Sequence, residues 1–192
     1  MIQPFQATGL NIYDIREKCD SAKNPLCYEQ LTDIETWLNK PEIQEILGVD
    51  VPYEGCKRDV NMKFLFAGDW MQPYVNYIAP LLEGGIKVLI YAGDADFICN
   101  WMGNKAWTLA LEWEGKEQYN GAKDHIWTSK VTGRKAGEFR MAGNLAFLRV
   151  YEAGHMVPFN QPEHSLEFIN TWLHGRGKTG EAEPNEEESD DQ

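Results

Sequence analysis

The sequence predicts an α/β fold. Two apolar runs, Ile86–Tyr91 and Leu145–Tyr151, have the length and continuity of strands buried on both faces. Between and after them the order is helix, hairpin, strand, loop, helix, the alternation of an α/β chain. At 192 residues with 43% hydrophobic and 12% aromatic side chains, the chain can bury a sizeable core and does not have the composition of a disordered segment.

Residues 1–30 read as irregular and polar. Thr32 or Asp33 can cap a short helix through Leu38, with Ile34, Trp37 and Leu38 on one face. Pro41 opens a second helix that Gly48 stops after Leu47. A third helical stretch follows the loop Pro52–Arg58, bends or breaks at Pro73, and ends at Gly84-Gly85. After the first strand, Asp96–Glu112 has helical spacing of Trp101, Ala106, Trp107, Ala110 and Leu111. Residues 114–125 read as surface loop. Ile126–Val131 and Gly137–Met141, joined across Thr132-Gly133-Arg134, predict a hairpin. The chain turns at Pro158 and Pro162 after the second strand. The last helix, Glu163–His174, is expected to face Leu166, Ile169 and Leu173 inward.

Charge and cysteine usage narrow the function classes. A net charge of −12 argues against nucleic acid, whose phosphates would repel the chain. Part of that charge is local: Arg176–Gln192 holds seven carboxylates against Arg176 and Lys178, which predicts a solvated, disordered tail. No apolar run reaches the length of a membrane span, and Met1 is not followed by a signal-peptide pattern. Cys19 and Cys27 bracket a short loop that a local disulfide would close; Cys56 and Cys99 have no evident partner. Four free thiols in a cytosolic protein are the other reading of that set, and one disulfide with two single cysteines suits an oxidised compartment better. Cysteines and histidines show no zinc-ligand spacing, so no metal or other cofactor is expected.

The chemistry concentrates at two strand ends. Val88-Leu89-Ile90-Tyr91-Ala92-Gly93-Asp94-Ala95-Asp96 ends in an acidic pair, and a later strand ends in Glu152-Ala153-Gly154-His155-Met156. Open α/β sheets carry their active sites just past the carboxyl ends of strands. The chain order acid then histidine is that of the last two members of a Ser-Asp-His triad in α/β-hydrolases. In such a triad the carboxylate fixes the imidazole tautomer and stabilises the imidazolium formed when it takes the serine proton. The nucleophile should lie upstream on a Gly-x-Ser-x-Gly turn, but none of Ser21, Ser129, Ser165 or Ser189 has that setting. Turn chemistry at Gly93-Asp94 and a surface histidine at 155 are the plainer readings of the same residues.

Two segments carry a family resemblance. Gly93-Asp94-Ala95-Asp96-Phe97-Ile98-Cys99-Asn100-Trp101-Met102-Gly103-Asn104 and Gly154-His155-Met156-Val157-Pro158-Phe159-Asn160-Gln161-Pro162 closely resemble the serine carboxypeptidases, in their carboxypeptidase Y-like branch. Asn11–Arg16, Phe64–Trp70 and the last helix extend the resemblance over roughly residues 9–175. It implies the C-terminal part of an α/β-hydrolase fold, a mixed, mostly parallel sheet with flanking helices, left incomplete here. Residues 1–60 would be the end of the cap region, 61–175 the C-terminal part of the core, and 176–192 the acidic tail.

The resemblance implies roles residue by residue. Asp96 and His155 match the triad acid and base, and Asp94 a structural neighbour. Trp70, Ile98 and Cys99 match the lining of the pocket for the residue before the scissile bond, and Met156 a wall of the pocket for the departing residue. Cys19 and Cys27 match a family disulfide, and Cys56 a half-cystine whose partner lies upstream. The nucleophile, the oxyanion hole and the acidic residues that hold a substrate's terminal carboxyl group would all precede residue 1. The activity implied is release of C-terminal residues from peptides or proteins, in a vacuole or another secretory-pathway lumen. The isolated chain is expected to be inactive, marginally stable or self-associating, with the absent N-terminal half as its partner. A truncated, non-catalytic remnant that binds a partner is the competing reading; a lyase or acyltransferase of the same fold is disfavoured by the wording of the two motifs.

Overall fold

The computed structural model describes residues 4–5, 7–20 and 26–174. The acidic segment expected to form a tail lies outside the described residues. The chain divides into two compact units, 1–77 and 78–192.

In the first unit, β1 (Leu10–Asn11) and β2 (Asp14–Lys18) pair antiparallel where an irregular segment was expected. Side chains close this turn in place of a turn motif legible in sequence. Asn11 Oδ1 accepts the Tyr13 N–H at 2.8 Å, and the buried Asp14 carboxylate accepts the Arg16 N–H and guanidinium. Cys19 and Cys27 form a disulfide with a Cα–Cα distance of 5.5 Å. Closing so short a loop contributes about 2–3 kcal/mol in the chain-entropy view. The helices follow as α1 (Gln30–Leu38), α2 (Pro41–Leu47) and α3 (Arg58–Phe66). Gly48 takes φ 68° at the end of α2, the left-handed cap that favours glycine. The long helical stretch expected up to Leu82 is broken earlier than Pro73: α3 ends at Phe66, and two short 3-10 turns, Asp69–Met71 and Tyr74–Tyr77, flank the proline.

The second unit contains α4 (Ile78–Glu83), β3 (Val88–Gly93), α5 (Trp101–Ala110), α6 (Lys116–Gly121), β4 (His125–Thr128), β5 (Lys135–Ala142), β6 (Leu145–Val150), α7 (Val157–Asn160) and α8 (Pro162–His174). The sheet order is β3-β6-β5-β4, with β3 and β6 parallel and the other two pairs antiparallel. Strand β6 is the centre. Leu145 and Phe147 join Leu82, Leu111 and Tyr119 in one buried cluster, while Leu148 and Val150 join Ala153, Val157 and Phe168 in another. That two-sided burial is what the continuous apolar run predicts.

Four expectations are corrected here. Helix α5 starts at Trp101, not Asp96, because Asn100 caps it by accepting the Gly103 N–H at 2.8 Å. Residues 116–121 are helical rather than loop, anchored by Tyr119, which is fully buried with its hydroxyl donating to Thr108 at 3.2 Å. Helix α8 buries His164, Ser165 and Phe168, leaving Leu166, Ile169 and Leu173 exposed. Phe168 wins that competition by packing on Tyr91 and Trp127, at ring distances of 5.1 and 6.2 Å. Finally, β3 is not buried on both faces: Tyr91 is 42% exposed and β3 lies at the edge of the sheet.

The edge position of β3 has a physical consequence. The Val88 and Asp94 N–H groups bond toward β6, at 2.7 Å to Asn144 O and 3.0 Å to Val150 O. The alternation of a parallel ladder then turns Leu89, Tyr91 and Gly93 N–H outward. No strand among the described residues pairs with that side, so an apolar edge without a blocking charge or proline is open. The isolated chain is expected to self-associate with rising concentration in sedimentation velocity. Tyr91→Pro removes an outward donor without touching the β3–β6 ladder, and is expected to shift the distribution toward monomer.

An ion network ties α5 to the hairpin: Asp124 accepts from Lys105 Nζ at 2.7 Å and from Arg140 Nε at 2.8 Å. Burial alone would raise the Asp124 pKa, but the hydrogen bonds and charges of Arg140 and Lys105 outweigh it and hold the carboxyl below its ordinary value. Because the folded value is the depressed one, its stabilisation is complete above the unfolded pKa of 3.8 and is lost as pH falls below it toward the native value. Asp124→Asn is expected to cost about 1–2 kcal/mol at pH 7 and much less near pH 2, measured by urea melts at both values.

Candidate active site

Strands β3 and β6 run parallel with Gly93 opposite Val150, so both loops that follow them open on the same end of the sheet. Backbone bonds then lock the two loops together. The Asp94 N–H bonds Val150 O at 3.0 Å and the Ala95 N–H bonds Ala153 O at 2.8 Å. Gly93 permits this approach: a Cβ there would lie 2.3 Å from both Ala153 O and Gly154 O.

Asp96 emerges from this junction 5% exposed. Its Oδ2 lies 2.9 Å from His155 Nδ1, and its Oδ1 accepts the Cys99 N–H at 3.1 Å. In the Nδ1–H tautomer the ring donates to the carboxylate. The carboxylate side chain is 4% exposed and the imidazole 40%, so the acid is shielded while the base reaches the surface. Two side chains steady the histidine loop: Asn160 Oδ1 accepts the Gly154 N–H at 2.9 Å, and Gln161 Nε2 donates to Glu152 O at 3.0 Å. On the other loop, Asn104 Nδ2 donates to Cys99 O at 2.9 Å and Asn100 O at 3.0 Å.

Cys99 Sγ, a carboxylate oxygen of Asp96 and a ring nitrogen of His155 lie within 4.8 Å of one another, a convergence of cysteine and histidine not visible in their sequence spacing. Both Asp96 oxygens are already hydrogen-bonded, one to the imidazole and one to the Cys99 backbone. Although Cys99 is exposed as a residue, partial burial of its sulfur pushes the thiol up and the Asp96 charge adds to the effect, which disfavours the thiolate needed of a nucleophile or metal ligand. The arrangement is a hydrogen-bonded carboxylate–imidazole pair.

The other expected site residues fall as follows. Ile98 and Cys99 are exposed on the Asp96 loop, and Met156 is half-buried beside His155. Trp70 belongs to the first unit, 66% exposed on a 3-10 turn. Of the serines, Ser129 donates to Glu167 and Ser165 is buried in α8; Ser21 and Ser189 lie outside the described residues. Asn104 and Asn160 stand in the two motifs that carry the resemblance, but their loop-holding roles are not legible there: each depends on which backbone groups the fold brings to the amide.

The serine carboxypeptidase family model matches residues 2–175. Carboxypeptidase Y of Komagataella phaffii is 51% identical over 173 residues, covering 90% of this chain and 32% of that protein. Carboxypeptidase Y of Schizosaccharomyces pombe is 52% identical over 176 residues, covering 91% of this chain and 17% of that protein. A crystal structure of a prohormone-processing carboxypeptidase from Saccharomyces cerevisiae superposes with a TM-score of 0.73 at 23% identity, covering 85% of this chain and 36% of the other. The fold is therefore that of a serine carboxypeptidase, and the chain belongs to the serine carboxypeptidase family. It spans about a third or less of the length of these relatives.

Asn160→Ala would leave the Gly154 N–H without its acceptor. It is expected to cost about 1–2 kcal/mol in chemical denaturation, with the midpoint changed and the slope kept.

Proposed function

We propose that this chain is the acid–base segment of a serine-type carboxypeptidase that releases C-terminal residues from peptides and proteins. The observation that carries the reading is the 2.9 Å contact of His155 Nδ1 with the shielded Asp96, at the adjoining ends of two parallel strands. In the reaction, an upstream portion supplies the serine. His155 Nε2 takes the serine proton as the hydroxyl attacks the peptide carbonyl, and Asp96 fixes the ring and stabilises the imidazolium. His155 then gives that proton to the leaving amino acid, and takes another from the water that hydrolyses the acyl-enzyme. No step calls for a metal or cofactor.

In this reading Ile98 and Cys99 line the pocket for the residue before the scissile bond, and Met156 walls the pocket for the departing residue. Their apolar character suits apolar substrate side chains. Residues 1–60 are the end of a cap region and 61–175 part of the hydrolase core. Cys56, an exposed free thiol, is the half-cystine for an upstream partner. The Cys19–Cys27 disulfide supports an oxidising lumen, a vacuole or another secretory compartment. Among the described residues no helix is long and apolar enough to cross a membrane.

The purified chain is expected to leave a blocked apolar dipeptide intact, since it lacks the Gly-x-Ser-x-Gly nucleophile. Joined in frame to the upstream portion of a carboxypeptidase Y, it is expected to hydrolyse the same substrate. His155→Ala or Asp96→Asn should then lower kcat by about 10⁴-fold. Cleavage by the isolated chain that depends on His155, or full activity of the joined His155→Ala variant, would sink the proposal.

A further inference from the structure

Asp96 sits on the loop 94–100, which leaves β3 at Gly93 and re-enters regular structure at Trp101, the first residue of α5. Backbone bonds fix the start of this loop, but one side chain reaches both its ends. Arg149 lies on β6 opposite Ala92, six residues before His155. Its guanidinium carbon stands 4.1 Å over the Trp101 ring and 5.2 Å from the Tyr151 ring, and its Nη2 is 3.6 Å from Asp94 Oδ2. Arg149 Nε is buried and has no hydrogen-bond partner among the described residues. An orphaned donor of this kind is costly, so stacking and the ion pair, not full hydrogen bonding, hold the side chain there. A planar guanidinium does this where a lysine ammonium cannot, because it can stack on a ring while facing a carboxylate.

We propose that Arg149 is a positioning residue for the Asp96–His155 pair. From the strand that leads to the base, it grips both ends of the loop that carries the acid. It acts by setting the position of the Asp96 loop against β6, so that the carboxylate meets Nδ1. The inference rests on the acid–base reading of Asp96 and His155, but its test does not need catalysis.

The test is proton NMR of the 192-residue chain, following the His155 Nδ1 proton, assigned by its loss in His155→Ala. The parent is expected to show a downfield, slowly exchanging signal. In Arg149→Met that proton should broaden or exchange about tenfold faster, while near-ultraviolet circular dichroism stays native. Asp94→Asn, which keeps the ring stack and removes the ion pair, should move the signal the same way to a smaller extent. Arg149→Lys should recover part of the loss. Unchanged exchange in Arg149→Met overturns the inference. If Arg149→Met does not fold, unchanged exchange in Asp94→Asn overturns it instead. Absence of the proton in the parent removes the pair itself, and Arg149 would then have nothing to position.

Discussion

Parallel pairing of β3 with β6 is the constraint on which the site depends. The register that sets Gly93 against Val150 brings two loops out of the sheet side by side, though 59 residues separate Asp96 from His155 in the chain. Everything else at the site refines that placement. Gly93 lets the backbones approach, Asn160 steadies the turn before the base, and Asn100 starts α5 at a point that leaves Asp96 outside the helix and free to accept hydrogen bonds.

The same pairing leaves β3 at the edge of the sheet. One side of β3 is spent on β6, and the other presents outward N–H and C=O groups with apolar neighbours. Such a strand has the composition of a sheet interior and the position of an edge. That conflict is local to β3. Strand β4, at the opposite edge, places His125 and Thr128 at its ends and faces solvent as an ordinary edge would.

The sequence disclosed most where chemistry and local structure coincide. The runs around Asp96 and His155 are dense in residues with few roles, and the fold brings the two side chains into contact. Strands β3 and β6 were legible from continuous apolar runs, and Pro41 and Gly48 marked both ends of α2. The misses share a cause. Helix α8 has two candidate inward faces by periodicity, and only the rings of Tyr91 and Trp127, distant in sequence, select Phe168 over Leu166, Ile169 and Leu173. Helix α6 is too short and polar to show a period; Tyr119 secures it through a tertiary contact with Thr108. The β1–β2 turn is closed by Asn11 and Asp14 side chains, which in a sequence look like any polar loop. The grip of Arg149 on Trp101 was likewise invisible, because it depends on strand register.

The central claim is that Asp96 and His155 form an oriented acid–base pair in this chain before any nucleophile is present. The most direct measurement is the nitrogen-15 spectrum of labelled His155 in its neutral form, which reports the tautomer. An Nδ1–H tautomer with an unprotonated Nε2, lost in Asp96→Asn, is the expected result. An Nε2–H tautomer, or rapid exchange between the two that Asp96→Asn leaves unchanged, would contradict the account.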